Sequence, residues 1–164
     1  MQTADNLLAR RTAGHVFQTS PHIVLKCPTQ FDNPFPEQAE ETEESAKKIV
    51  SEKAVFRVLM EQSYPHILQC ILCVPEGIFL RRMDSILQER LSQSQRVAIP
   101  PAMQEQWVQQ LTGAVAWLER QEFVHADLRP ANILLDADEN IQLGSFDATV
   151  KQSQKLLVAS KPFC

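Results

Sequence analysis

The chain of 164 residues has no basic excess: 16 Lys plus Arg stand against 20 Asp plus Glu, a formal charge of −4. Proteins that bind nucleic acid carry a positive footprint for the phosphates, so nucleic acid is not expected as a partner. Long apolar runs are missing as well. The best stretch, around 67–80, is interrupted by Pro75 and Glu76, whereas a membrane span takes about 20 apolar residues. No membrane segment is expected. The N-terminus M-Q-T-A-D-N-L-L-A-R-R lacks the apolar core of a secretion signal, which points to an unsecreted protein of the cytoplasm or nucleus. Four cysteines, Cys27, Cys70, Cys73 and Cys164, are too few for a disulfide scaffold, and reduced thiols are expected. Cys70 and Cys73 have metal-like spacing. A structural zinc site needs a second pair of ligands, and strand residues three apart face opposite sides, so zinc is not expected. No repeat with a period of 20 to 50 residues occurs, which sets solenoids aside.

What remains is an ordinary globular composition, 44% hydrophobic and 22% charged. At about 150 residues per domain the length fits one compact unit, burying about 70% of its unfolded surface if every element of the core is present. Short β-branched pieces occur at 15–19 and 22–27, and F-D-N-P-F-P at 31–36 breaks regular structure. The acidic run Glu37, Glu40, Glu41, Glu43 and Glu44 suits the start of a helix and reads as a solvated face. From Ser45 to Gln62, Ile49, Val55, Phe56, Leu59 and Met60 recur at helical spacing, and Glu52 falls on that apolar face. Strands at 67–74 and 78–83 flank a turn at 75–77, an antiparallel hairpin. Asp84 or Ser85 is placed to cap a short helix through Arg90, and Pro100-Pro101 opens a longer one striped with Trp107, Leu111, Ala114, Val115 and Leu118. A polar loop at 124–132 and a small hairpin around 137–140 follow.

The chemistry concentrates in His125-Ala126-Asp127-Leu128-Arg129-Pro130-Ala131-Asn132. This loop resembles the catalytic loop of protein kinases, H-R-D-L-x-x-x-N, whose Asp accepts the substrate hydroxyl proton and whose Asn holds Mg²⁺. Three fixed residues recur by chance about once in 8000 positions, an accidental rate of roughly 2% for a chain of this size. The residues around the loop extend the likeness. Ile133-Leu134-Leu135-Asp136 and then Ser145-Phe146-Asp147 stand where the family has a strand and its D-F-G turn. Upstream, Ile23-Val24-Leu25-Lys26 is similar to the V-A-I-K strand, whose Lys pairs with nucleotide phosphates. Glu52, on a helix similar to the αC helix of kinases, is the matching partner for Lys26.

The resemblance implies an α+β, two-lobed kinase-like fold. Residues 1–83 would form a β-rich N-lobe with its helix, and 84–164 the first part of a helical C-lobe. The implied cofactors are ATP and Mg²⁺. Asp127 would be the base, Arg129 the cation near the phosphoryl group, and Asn132 a catalytic-loop residue and the metal ligand. Lys26, Glu52, Gly14 and Val16 would form the nucleotide site. Four departures bear on activity. The Gly-rich loop is reduced to Gly14-His15-Val16, with Ala9 and Arg11 at the earlier glycine positions, which weakens the backbone cradle for phosphate. Ser145 replaces the D-F-G Asp, and a neutral hydroxyl is a poor Mg²⁺ ligand. Ala126 replaces the Arg of H-R-D, which sets aside control by a phosphorylated activation loop, and Arg129 stands for the usual Lys. The family's A-P-E and later helices, in a domain of about 250 residues, have no counterpart before Cys164.

Two functions are therefore weighed. One is impaired ATP-dependent phosphoryl transfer to protein Ser or Thr hydroxyls. The other is a pseudokinase, a binding or scaffold module that transfers nothing. A truncated C-lobe would leave the Trp107 stripe as a large exposed patch, implying a protein partner, a dimer or a partner that completes the lobe. His15, His22 and His66 read as surface or turn residues, and His125 as a brace of the catalytic loop.

Overall fold

The computed structural model describes residues 6–11, 13–94 and 98–152, in an α+β arrangement of a five-stranded sheet, three α-helices and two small sheets. The N-terminal sheet contains β1 (Leu7–Arg11), β2 (Gly14–Ser20), β3 (Ile23–Cys27), β4 (Cys70–Val74) and β5 (Gly77–Arg81) in the order β1-β2-β3-β5-β4, antiparallel throughout. β1 is not expected from its residues, because L-L-A-R-R lacks the alternation of a half-buried strand. Pairing with β2 supplies what local pattern does not. The hairpin's strands are shorter than expected, 70–74 and 77–81, because Ile67 bridges in parallel to Leu143 and Arg82 and Met83 lie beyond the ladder.

Gly14 and Gly77 are the glycines that this sheet requires. Gly14 has φ +132°, and a Cβ there would sit 2.1 Å from the Cys27 carbonyl oxygen; one on Gly77 would sit 2.3 Å from that of Lys26. Both allow a close backbone approach at the end of β3, which carries Lys26.

Helix α1 (Pro36–Leu59) packs against this sheet and is one continuous helix. It starts nine residues before Ser45, where the apolar periodicity begins. Pro36 at the first turn and Gln38, whose Oε1 accepts the Phe35 N–H at 3.0 Å, explain that earlier start. The acidic run forms its solvated face, with ion pairs Glu43–Lys47 and Glu44–Lys48 at 2.7 Å. Ser45, Ile49, Glu52, Val55, Phe56 and Leu59 are buried, whereas Met60, expected on the apolar stripe, caps the helix and is 49% exposed. Ser45 Oγ accepts the Thr29 N–H at 2.8 Å in a buried contact that ties the exit of β3 to the helix. Lys53 Nζ donates to the Pro75 carbonyl at 2.9 Å and ties the β4–β5 turn to it.

After β6 (Ser85–Ile86) comes α2 (Leu87–Gln93). Neither Asp84 nor Ser85 caps it: the cap position is Ile86, with no side-chain hydrogen bond, because Ser85 is held in a ladder opposite Leu135. Helix α3 (Pro101–Arg120) follows, then β7 (Phe123–Val124), β8 (Ile133–Leu135), β9 (Ile141–Leu143) and β10 (Val150–Lys151). β6, β8 and β9 form one small sheet, β7 and β10 the other.

The α3 stripe does not form the exposed patch expected of it. Trp107 and Leu118 are 6% and 1% exposed, Leu111 and Val115 partly buried. The β8–β9 hairpin covers them, and Trp107 Nε1–H donates to the Glu139 carbonyl at 2.7 Å. The turn at 137–140 of that hairpin closes over the core, held by Arg90–Glu139 and by Gln106 and Gln110, both donating to Asn140 Oδ1. Solvent instead meets the neighbouring Val108, 63% exposed.

Candidate active site

A cleft of about 270 Å³ runs between the N-terminal sheet and the β6–β8–β9 sheet, with Val16, Val24, Leu80 and Leu134 among its walls and Lys26 and Glu52 at its inner end. A second space of about 240 Å³ adjoins it. Lys26, Ala131 and Ser145 line both, and Asp127, Arg129, Asn132 and Asp147 line the second. Apolar walls lead to a charged end. A flat heteroaromatic ring suits the first half of such a cleft, and phosphate-like charge suits the second.

The charged end is built around Glu52. Lys26 Nζ lies 2.6 Å from Glu52 Oε2, with side-chain exposures of 6% and 1%. The other carboxylate oxygen, Oε1, accepts the Phe146 N–H at 3.1 Å across 94 residues of sequence. Helical phase puts Glu52 inside, and sheet register puts Lys26 next to Val16 and Ile78. One carboxylate therefore couples β3, α1 and the turn after β9. Phe146 is fully buried, edge-on to Phe56 at 5.2 Å and to His125 at 5.4 Å. This packing fixes the turn whose first residue is Ser145.

The catalytic-like loop is braced from inside. His125 Nε2–H donates to the Gly144 carbonyl at 2.8 Å, and Nδ1 accepts the Asp127 N–H at 3.3 Å. Those partners require a neutral ring with its proton on Nε2. They also hold two residues in the left-handed region, Ala126 and Ser145, both at φ +61°. Asn132 Nδ2 donates to the Asp127 carbonyl and to Asp127 Oδ2, each at 2.8 Å, and Arg129 Nη2 lies 3.1 Å from the same Oδ2. Asp127 is thus oriented by Asn132 on one side and Arg129 on the other.

Burial pushes the His125 pKa down from its ordinary 6.5, against smaller raising effects of the Gly144 carbonyl and of nearby Asp127. The folded chain therefore resists a proton that the unfolded chain accepts. Stability from this residue is fully present above pH about 6.5 and is lost as pH falls through the window beneath it. Melting temperatures taken from about pH 7.5 to 5.5 are expected to fall, and His125→Gln is expected to flatten the upper part of that fall while lowering the melt at neutral pH.

Of the residues singled out from sequence, Val16, Lys26, Glu52, Asp127, Arg129 and Asn132 line the two connected spaces. Gly14 lines neither; its missing side chain makes room for the Cys27 carbonyl. Leu8, Leu80 and Leu134 as walls, and the Phe146 N–H as the tie to Glu52, are not foreseeable from the sequence. The walls carry no signal beyond being apolar, and a backbone donor carries none at all.

The donors at the charged end fit a nucleotide better than a metal ion. Lys26 and Arg129 offer cations to phosphate. For Mg²⁺, Asp127 Oδ2 already accepts from Asn132 and Arg129, and Ser145 contributes a hydroxyl where anionic oxygen is wanted. The donor set falls short of a complete Mg²⁺ site.

Comparison with known proteins gives the chain's family. Residues 34–161 match the protein kinase domain, a span that includes Glu52, Asp127, Arg129 and Asn132 and follows Lys26. A carbon catabolite-derepressing protein kinase of Secale cereale is 30% identical over 119 residues, covering 66% of this chain and 22% of that protein. With more than half of its length matched to that domain, the chain belongs to the protein kinase family.

Proposed function

We propose that this chain binds ATP in the cleft ending at Lys26 and retains impaired phosphoryl transfer to Ser or Thr hydroxyls of a protein substrate. The observation that carries the reading is the buried Lys26–Glu52 pair at 2.6 Å, joined through Ser145 and Ala131 to the space lined by Asp127 and Asn132. Residues 1–83 and 84–164 act in this proposal as the two lobes that close on the nucleotide. Val16 and Leu134 hold the adenine between apolar faces, and Lys26, held by Glu52, orients the phosphates. Asp127 accepts the proton of the attacking hydroxyl, with Asn132 fixing its carboxylate. Arg129 offsets charge on the transferring group. Gly14 belongs to this site through its strand, not through a wall of its own.

A second reading rests on Ser145. With a hydroxyl in place of a carboxylate beside Lys26, the chain is a pseudokinase that binds nucleotide without metal and serves as a binding module. A thermal melt separates the two. At 100 times Kd, ATP adds about 2.7 kcal/mol, roughly 5–10 °C for a chain of this size. Nucleotide binding predicts that shift, and dependence of the shift on Mg²⁺ favours transfer. An equal shift in EDTA favours the pseudokinase, and no shift in either condition refutes nucleotide binding.

A further inference from the structure

Cys70 and Cys73 line neither of the two connected spaces and lie on β4 at the edge of the five-stranded sheet. On a regular strand they would face opposite sides. Here the register slips between Cys70, opposite Leu80, and Leu72, opposite Phe79. This bulge turns both sulfurs to the same side, and the Sγ atoms lie 3.8 Å apart. The expectation of opposed cysteines is overturned by that one extra residue.

We propose that Cys70 and Cys73 are a redox modification site that closes to a reversible intrachain disulfide with a small disulfide such as oxidised glutathione. A disulfide needs about 2.05 Å between sulfurs, so closure asks for about 1.8 Å of approach. β4 can supply it because, among the described residues, only β5 pairs with it, and the bulge residues Ile71 and Leu72 are 42% and 51% exposed. No second ladder has to break.

The order of attack follows from exposure. Cys73 is half-buried, whereas Cys70 is buried, and desolvation, with Cys73 close by, pushes its thiol up to about 12. The Cys73 thiolate therefore attacks the glutathione disulfide first, forming a mixed disulfide and releasing one glutathione thiolate. Cys70, losing its proton to solvent base, then attacks Cys73 Sγ and expels the second. Two protein thiols are oxidised and one glutathione disulfide is reduced to two thiols, which balances atoms and electrons. Since the second step needs the buried thiolate, the mixed disulfide at Cys73 precedes ring closure, and closure speeds up as pH rises. None of this depends on nucleotide binding or transfer.

The test treats the folded, reduced chain with oxidised glutathione, alkylates remaining thiols with iodoacetamide and maps the tryptic peptide that follows Arg57 and ends at Arg81, which contains both cysteines and no third. The expected product is that peptide lighter by two hydrogens, without alkyl groups, and restored by dithiothreitol. Cys70→Ser is expected to stop at a glutathione adduct on Cys73, and Cys73→Ser to leave Cys70 as a thiol. Alkylation of both cysteines in the untouched chain, a glutathione adduct that never closes at any pH, or linkage of Cys73 to another chain would each overturn the proposal.

Discussion

Glu52→Ala is expected to lower the melting temperature by roughly 6–20 °C and to abolish any nucleotide-dependent shift. The size follows from what the carboxylate does. Its side chain is 1% exposed and serves two partners at once, the Lys26 ammonium at 2.6 Å and the Phe146 N–H at 3.1 Å. Removing one partner of a buried ion pair costs about 3–5 kcal/mol, mainly because the other charge is left in low dielectric. That is a large part of a total stability of about 5–15 kcal/mol. Glu52→Gln is expected to cost less, because the amide oxygen still accepts from Phe146 while only the charge is lost. The decisive variant pairs Lys26→Met with Glu52→Leu. Two apolar groups of similar volume leave no unpaired charge and recover most of the loss, all but about 1–3 kcal/mol for the Phe146 N–H that Leu cannot accept. They do not restore a nucleotide shift if Lys26 holds phosphate. A double variant that melts cooperatively above Glu52→Ala and still shifts with ATP would remove Lys26 from the binding site.

The residues legible in the sequence are those whose role is fixed locally. Asp127 and Asn132 stand five apart in one loop, and that spacing is enough for Asn132 Nδ2 to reach both the carbonyl and the carboxylate of Asp127. Glu52 was legible because a carboxylate on an apolar helical face must have a partner. What escaped was set by distant chain. β1 exists because β2 pairs with it, and α1 starts at Pro36 because of a cap and not because of apolar periodicity. The Trp107 stripe looked uncovered because the resemblance put later C-lobe helices over it, whereas β9, apolar at Ile141 and Leu143, and the turn before it lie against the stripe. The bulge in β4 left no mark either, since C-I-L-C-V reads as an unbroken apolar strand. The turn residue Ser145 shows both sides of this: its identity announced a lost carboxylate, while the Phe146 N–H bond that fixes the turn is invisible in sequence.

Asp127→Asn is expected to reduce phosphoryl transfer by about 10²–10⁴, the usual contribution of a positioned general base, with little change in the melt. The melt is spared because the Asp127–Arg129 pair is open to solvent, with side-chain exposures of 38% and 56%, where such pairs contribute about 0–1 kcal/mol. An Asn at 127 also keeps an oxygen for the Asn132 Nδ2 that Oδ2 now accepts. Ser145→Asp works in the opposite direction. Ser145 sits at φ +61°, a left-handed conformation in which Asp is among the best tolerated side chains, so the backbone does not oppose the change. The new carboxylate faces the space shared by Lys26, Asn132 and Asp147. A charged ligand interaction of about 1.5–3 kcal/mol predicts tighter Mg²⁺–ATP binding by roughly 10- to 150-fold, read as a melt shift that appears with Mg²⁺ and vanishes in EDTA. Transfer should rise with it, and adding Asp127→Asn to Ser145→Asp should remove the gain while keeping the Mg²⁺-dependent shift. If Ser145→Asp binds Mg²⁺–ATP tightly and still transfers nothing, the defect lies beyond the metal site, in the reduced Gly-rich loop at Gly14-His15-Val16, and the pseudokinase reading holds for this chain.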